Sequence, residues 1–154
     1  MDTVSARRIT DARLAGEGAQ VVTVEGGQGY RRRPCGGCPW RVDATGDWPA
    51  EAFAHSANTA EDMATKQFGC HDTGVDHPVT CAGFLLRGAE HNMGTRMALM
   101  GGRVDLDQVH DGGHELYDDY VAMAVANGLD PDDPCLRSAR RSSYAMARDE
   151  EEWS

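Results

Sequence analysis

Apolar positions along this chain come in short runs parted by turn residues, and their spacing predicts helices for the most part, with one small strand region. Residues 21–24 (Val-Val-Thr-Val) are β-branched and bounded by glycine. They predict a strand that ends in the turn Gly26-Gly27-Gln28-Gly29. Val4, Ile9 and Leu14 space the segment from Met1 to Leu14 as a short helix or a frayed terminus. Asp47-Trp48-Pro49 predicts a helix start, with Asp47 as cap and Pro49 in the first turn, running to about Ala57. Residues 59–62 (Thr-Ala-Glu-Asp) resemble a capping box before Met63 and Phe68. Residues 83–100 read as the central helix, with Phe84, Leu85, Met93, Met97 and Met100 on one face and Gly101-Gly102 stopping it. Residues 115–127 carry the clearest stripe: Leu116, Tyr120, Val121, Ala124 and Val125. Asp133-Pro134 opens a last helix with Leu136, Ala139 and Ala147. Residues 71–78 are turn-rich, and 79–81 form a short extended piece. The expected fold class is mainly α with a small β element (α+β). It forms a single compact domain over residues 1–154 that frays at 1–20 and 149–154.

Composition sharpens this picture. The 154 residues are 40% hydrophobic but only 6% aromatic, and 18 are Gly. Such a core is lean, and a metal staple would strengthen it most. The formal net charge is −10, and the acidity is concentrated in the half of the chain from Pro78 to Ser154. A field of that sign repels a phosphate backbone. No stretch approaches the roughly 20 apolar residues of a membrane span. The segment from Met1 to Leu14 lacks a secretory apolar core. The expected setting is therefore a cytoplasm, where clustered cysteines signal metal or catalysis more than disulfides.

Five cysteines are present, and four of them make a pattern. Cys35-Gly36-Gly37-Cys38 puts two thiols on one tight turn, which the glycines shape. Cys70-His71 and then Cys81 follow well down the chain and complete a set of four. Cys135 is left over. Four buried but unliganded cysteines are the bland alternative. A thioredoxin-like pair is disfavoured, because Pro39 follows the second Cys and no βαβ alternation is present. His71 as base for a nucleophilic Cys70 is disfavoured too, since chain neighbours seldom face each other. The reading adopted is a metal site of Cys35, Cys38, Cys70 and Cys81, with His71 able to substitute or support, and Trp40 packed over it. Zinc is preferred. A 4Fe-4S cluster is the alternative, because Cys-Pro is a familiar ending of ferredoxin ligand runs. Residues 30–102 form the expected metal-binding core.

Arg33-Pro-Cys-x-x-Cys-Pro-Trp40, Cys70-His71 and Cys81-Ala-Gly-Phe-Leu85, followed by Gly88, Asn92 and Arg96, resemble an uncharacterised family of small proteins of bacteriophages and actinobacteria. The resemblance spans residues 33–102. It implies a shared site and a phage or prophage setting, and no particular reaction.

Other clusters carry less. His110-Asp-Gly-Gly-His114 reads as a polar loop rather than a ligand pair. Asn92 and Arg96 share a helical face, with His91 beside them, and Asn92 is a candidate to support a sulfur ligand or its loop. Arg31, Arg32, Arg33 and Arg41 form the densest positive patch, and Arg137, Arg140 and Arg141 a second. Nucleic acid is an option through the first patch, but the net charge favours a protein partner, and no membrane is expected. The resulting expectation is a non-catalytic, zinc-stapled accessory or binding protein. The alternatives are an iron–sulfur protein with a redox or sensing role, and a metal-dependent hydrolase acting on nucleic acid.

Overall fold

A computed structural model describes residues 8–15, 19–25, 29–70, 79–143 and 145–147. β1 (Arg8–Ala15) and β2 (Ala19–Glu25) form an antiparallel hairpin, in register from Ala15↔Ala19 to Arg8↔Glu25 with an irregularity between Ile9 and Asp11. β3 (Gln67–Phe68) adds to the other side of β2, giving the order β1-β2-β3. The strand expected at 21–24 is the middle of β2. The helix expected from Met1 to Leu14 is corrected: from Arg8 onward the chain there is strand β1. Three apolar residues make a weak helical signal, and a β-branched neighbouring strand offers a full backbone ladder instead. The turn-rich stretch 71–78 and His71 lie outside the described residues. Thr80 just after it bridges both Tyr30 and Gly69, consistent with the extended piece at 79–81.

The helices are shorter than their periodicity suggested. α1 (Ala50–Ser56) begins where expected, but no side chain caps it, because Asp47 belongs to the preceding turn through its N–H to Ala44 O. The helix expected after residues 59–62 does not form. A 3-10 turn, Ala57–Ala60, stands there, and Thr59 Oγ1 bonds back to Ser56 O at 2.8 Å rather than capping forward. The central helix over 83–100 is likewise corrected. It splits into a π-helical turn, Phe84–Gly88, and α2 (Met93–Met100), which restarts under an Asn92 cap accepting Thr95 N–H. The helix over 115–127 shrinks to α3 (Tyr120–Ala126), because Leu116 bridges Arg41 and Asp119 caps Ala122. The last helix breaks into a 3-10 turn at Pro134–Leu136 and separate helical residues at 143 and 145–147, where Met146 N–H donates to Ser142 O. Between them, Ala139 bridges Glu61, and Arg140 N–H donates to Ala60 O. The architecture is mixed, with short helices and a small sheet. Among the described residues, no helix is long and apolar enough to cross a membrane.

The main core gathers Trp40, Phe53, Phe68, Phe84, Tyr120 and Met123 around the four cysteines, and a second cluster joins Ala82, Leu85, Ala98, Val104 and Val109. Trp40, fully buried, meets Phe68, Phe84 and Tyr120 edge-on at 5.8, 6.4 and 6.1 Å. Such contacts contribute roughly 0.5–1.5 kcal/mol each beyond area burial.

Candidate metal centre

The Cys35–Cys38 turn closes through Cys38 N–H to Cys35 O at 3.2 Å, and the next turn through Arg41 N–H to Cys38 O. Gly37 takes a positive φ of 74°, which glycine adopts without strain. The turn's outer carbonyls are also engaged: Arg41 Nη1 donates to Cys35 O and Trp48 Nε1 to Gly37 O. Cys70 follows β3, its N–H on Val79 O, and Cys81 N–H returns to Phe68 O. Cys81 O then accepts Leu85 N–H and so opens the π-helical turn. Backbone pairing between these three segments thus delivers all four cysteines to one place.

All four are at most 3% exposed. Cys38 Sγ and Cys81 Sγ lie 3.7 Å apart. Cys35 contacts both the Cys38 and the Cys70 side chain. The four sulfurs therefore form a continuous series, Cys70–Cys35–Cys38–Cys81. Among the described residues, no group of three or more Cys, His, Asp and Glu side chains is arranged to hold a metal ion. Bonding to Cys38 and burial push the Cys35 thiol up to about 11, against the lowering contact with Cys70. The Cys35 contact lowers Cys38, but its contact with Cys81 and its burial outweigh that and carry it well above the thiol range. Buried thiols side by side resist ionisation when no cation compensates them. A bound cation reverses that logic and draws off the protons.

Trp40 lies in the same buried core as the four cysteines. The tight cradle behind it was not legible. Gly83 and Gly88 both press on the indole: a Cβ at Gly83 would sit 2.5 Å from Trp40 Cβ, and one at Gly88 would meet the far edge of the ring. Two glycines five apart around Phe-Leu-Leu are the signal that could have shown it, since a π turn brings i and i+5 to one side. Trp40 Nε1 is buried with no partner among the described residues.

The other candidates have structural roles. The Asn92 amide is bonded to groups other than the sulfurs. It caps α2 and its Nδ2 donates to Thr59 O and Lys66 O, which joins it to a buried polar group with Gln67, Thr80 and Thr95. Arg96 donates to Glu90 O. His91 lies between Asp62 and Glu90, with Nε2 near Arg141 O. His110 and His114 occupy a loop beside the Arg31–Arg33 segment, His110 N–H on Arg32 O. His114 approaches Asp43 at 3.9 Å, and Arg41 holds the Asp43 carboxyl below the usual carboxylate range. Arg32 is engaged by Gln108 and lies over the Tyr30 ring. Arg41 is taken by Asp43 and Cys35 O. The positive patch is thus partly neutralised within the chain. Asp119, whose place before an apolar stripe suggests helix surface and cap chemistry, does cap α3, but its burial was not legible: at 1% exposed it accepts from Ala122 N, Arg141 Nε and Ser142 N at 2.9, 2.5 and 3.2 Å.

No curated protein and no solved structure matches the chain. A family model matches residues 30–140, reaching well past the 33–102 stretch that carried the resemblance and taking in α3 and the turn after it, while leaving the β1–β2 hairpin outside. The chain belongs to that family, described as Family of unknown function (DUF6283).

Proposed function

We propose that Cys35, Cys38, Cys70 and Cys81 bind one zinc ion that staples the core, and that the protein is a non-catalytic accessory or binding protein of phage or prophage type. The observation that carries this reading is the series of four buried thiols drawn from three separate chain segments, with Cys38 and Cys81 Sγ at 3.7 Å. Zinc–sulfur bonds of about 2.3 Å in a tetrahedron hold sulfurs about 3.8 Å apart. A cubane cluster binds each cysteine to a different iron and spreads them farther, so the spacing favours a single ion over the iron–sulfur alternative. His71 follows Cys70 directly and supports the site or replaces one sulfur. The phage setting rests on the family resemblance alone.

Elemental analysis and an ultraviolet–visible spectrum of untagged, anaerobically purified protein test this. One zinc per chain and no visible absorbance are expected. A brown protein with iron and sulfide would replace the reading with the cluster. Cys81→Ser separates a structural ion from a hydrolase centre. Loss of both zinc and cooperative melting fits a closed four-sulfur site, whereas retained metal would mean an open position filled by water.

A further inference from the structure

The four sulfurs meet in a definite order. Cys35 contacts Cys70 on one side and Cys38 on the other, and Cys38 Sγ lies 3.7 Å from Cys81 Sγ. Those three contacts yield two separate pairs in a single way, Cys35 with Cys70 and Cys38 with Cys81. Each pair joins the Cys35–Cys38 turn to a different later segment, Cys70 behind β3 and Cys81 ahead of the π-helical turn. Backbone bonds keep those segments together without help from the sulfurs: Cys70 N–H to Val79 O, Cys81 N–H to Phe68 O and Arg31 N–H to Thr80 O, each at 2.9 Å. The members of each pair also differ in access. Cys35 and Cys81 are 3% exposed, Cys70 1% and Cys38 0%. Each pair therefore sets a sulfur at the edge of the core against a more deeply covered one. Beside Cys35 the turn is exposed at Gly36 and Gly37, and a Cβ on Gly36 would meet nothing within 4 Å.

We propose that these cysteines are also a site of reversible oxidation, which hydrogen peroxide converts into two disulfides, Cys35–Cys70 and Cys38–Cys81, expelling the ion. The expelled ion rests on the zinc reading; the pairing rests on the sulfur contacts and holds with or without metal. Burial selects the oxidant, since a peroxide is small enough to reach these sulfurs and a protein disulfide is not. The sulfur of Cys35 or Cys81 attacks one peroxide oxygen. The O–O bond breaks, the other oxygen leaves as water, and a sulfenic acid forms. The covered partner, Cys70 or Cys38, attacks the sulfenic sulfur, and the S–O bond breaks to release a second water. Each pair loses two electrons and each peroxide gains two. Starting from zinc, four thiolates, two peroxides and four protons, the products are two disulfides, a free zinc ion and four waters. A Cys35–Cys38 bond would instead close only the tight turn. The Cys38–Cys81 bond spans 43 positions, and cross-links over longer loops constrain the unfolded chain more. The oxidised chain thus keeps the tie between its three segments after the ion has gone.

Treating the reduced, zinc-loaded wild-type chain with a few equivalents of hydrogen peroxide tests this. Free thiols are then blocked, and the disulfides are mapped by mass spectrometry of the unreduced digest. Both cross-segment bonds are expected, with Cys135 outside them. A metal-sensing dye should report one zinc released per chain in step with the bonds. Circular dichroism and cooperative melting should persist, and dithiothreitol with zinc should restore the starting form. Cys35→Ser should form the Cys38–Cys81 bond alone; should that variant not fold, the wild-type map decides. The metal-free reduced chain receives the same treatment. A chain that carries no zinc as purified yet forms both bonds removes the zinc staple and leaves this inference standing. A zinc-loaded chain overturns the inference, and leaves the staple standing, if Cys35–Cys38 is the main bond, if sulfinic acids replace the disulfides, if the four cysteines stay reduced, or if oxidation unfolds it.

Discussion

Trp40 owes its place to side chains that its neighbours lack. Gly83 and Gly88 leave no room for a methyl group against the indole, and the rings of Phe68, Phe84 and Tyr120 close the remaining sides. Gly88→Ala is therefore expected to cost about 1–3 kcal/mol through overpacking, read as a lowered urea midpoint. Gly36→Ala, with nothing within 4 Å of the added carbon, should stay within about 0.5 kcal/mol. Equal losses at both positions would sink the packing account. Cys135 offers a second test at this scale. Burial, and then the Asp133 side chain, raise its thiol to about 11. The thiolate is the reactive form, so a raised value keeps the group protonated, and slow to react, over a wider range. Alkylation of Cys135, followed by mass spectrometry, should keep climbing about tenfold per pH unit between about pH 7 and 9.5. A plateau near 9 would contradict it.

Among the elements, α3 depends most on a single side chain. Asp119 caps its first turn and, from the same carboxylate, holds the chain at Arg141 and Ser142. Asp119→Ala removes the cap and leaves those donors unpaired, an expected loss of about 2–4 kcal/mol. Asp119→Asn keeps an acceptor for Ala122 N–H and should lose about half as much. Equal losses in the two variants, measured by chemical denaturation, would show that the cap on Ala122 adds nothing, and an Asp119→Asn variant as stable as the wild type would show that the charge toward Arg141 does nothing. Element boundaries were the least legible part of the sequence, and Leu116 shows why. Its place in an apolar stripe suited a helix, but its backbone is taken by a bridge to Arg41. Phe84 and Met97 likewise share a periodicity, yet a π turn and the Asn92 cap separate them. Periodicity reports which residues are apolar. It does not report where a backbone hydrogen bond goes to a distant partner.

For the molecule as a whole, the decisive quantity is how much of its stability the proposed ion supplies. The core is lean and the cysteines sit at its centre. Stripping zinc with a strong chelator under reducing conditions should lower the melting temperature by roughly 10 °C or more, with recovery on adding one equivalent of zinc. A melting curve unmoved by chelation would remove the staple. The cysteine set itself was legible, because CxxC and two further cysteines form a pattern independent of the fold. The supports around it were not. Trp40's glycine cradle, the buried Asp119 and the solvent-facing methionines of α2 depend on which segments meet.

The amino-acid sequence by itself determined the strand at 21–24, the start of α1, the candidate ligands and the charge balance, because local conformation and residue chemistry need no partner. Tertiary structure alone decided that residues 8–15 pair as a strand, that the central helix breaks, and that Cys70, Cys35, Cys38 and Cys81 stand in contact. Each of those outcomes turns on backbone pairing or burial between residues far apart in the chain, and spacing along a sequence carries no record of that distance.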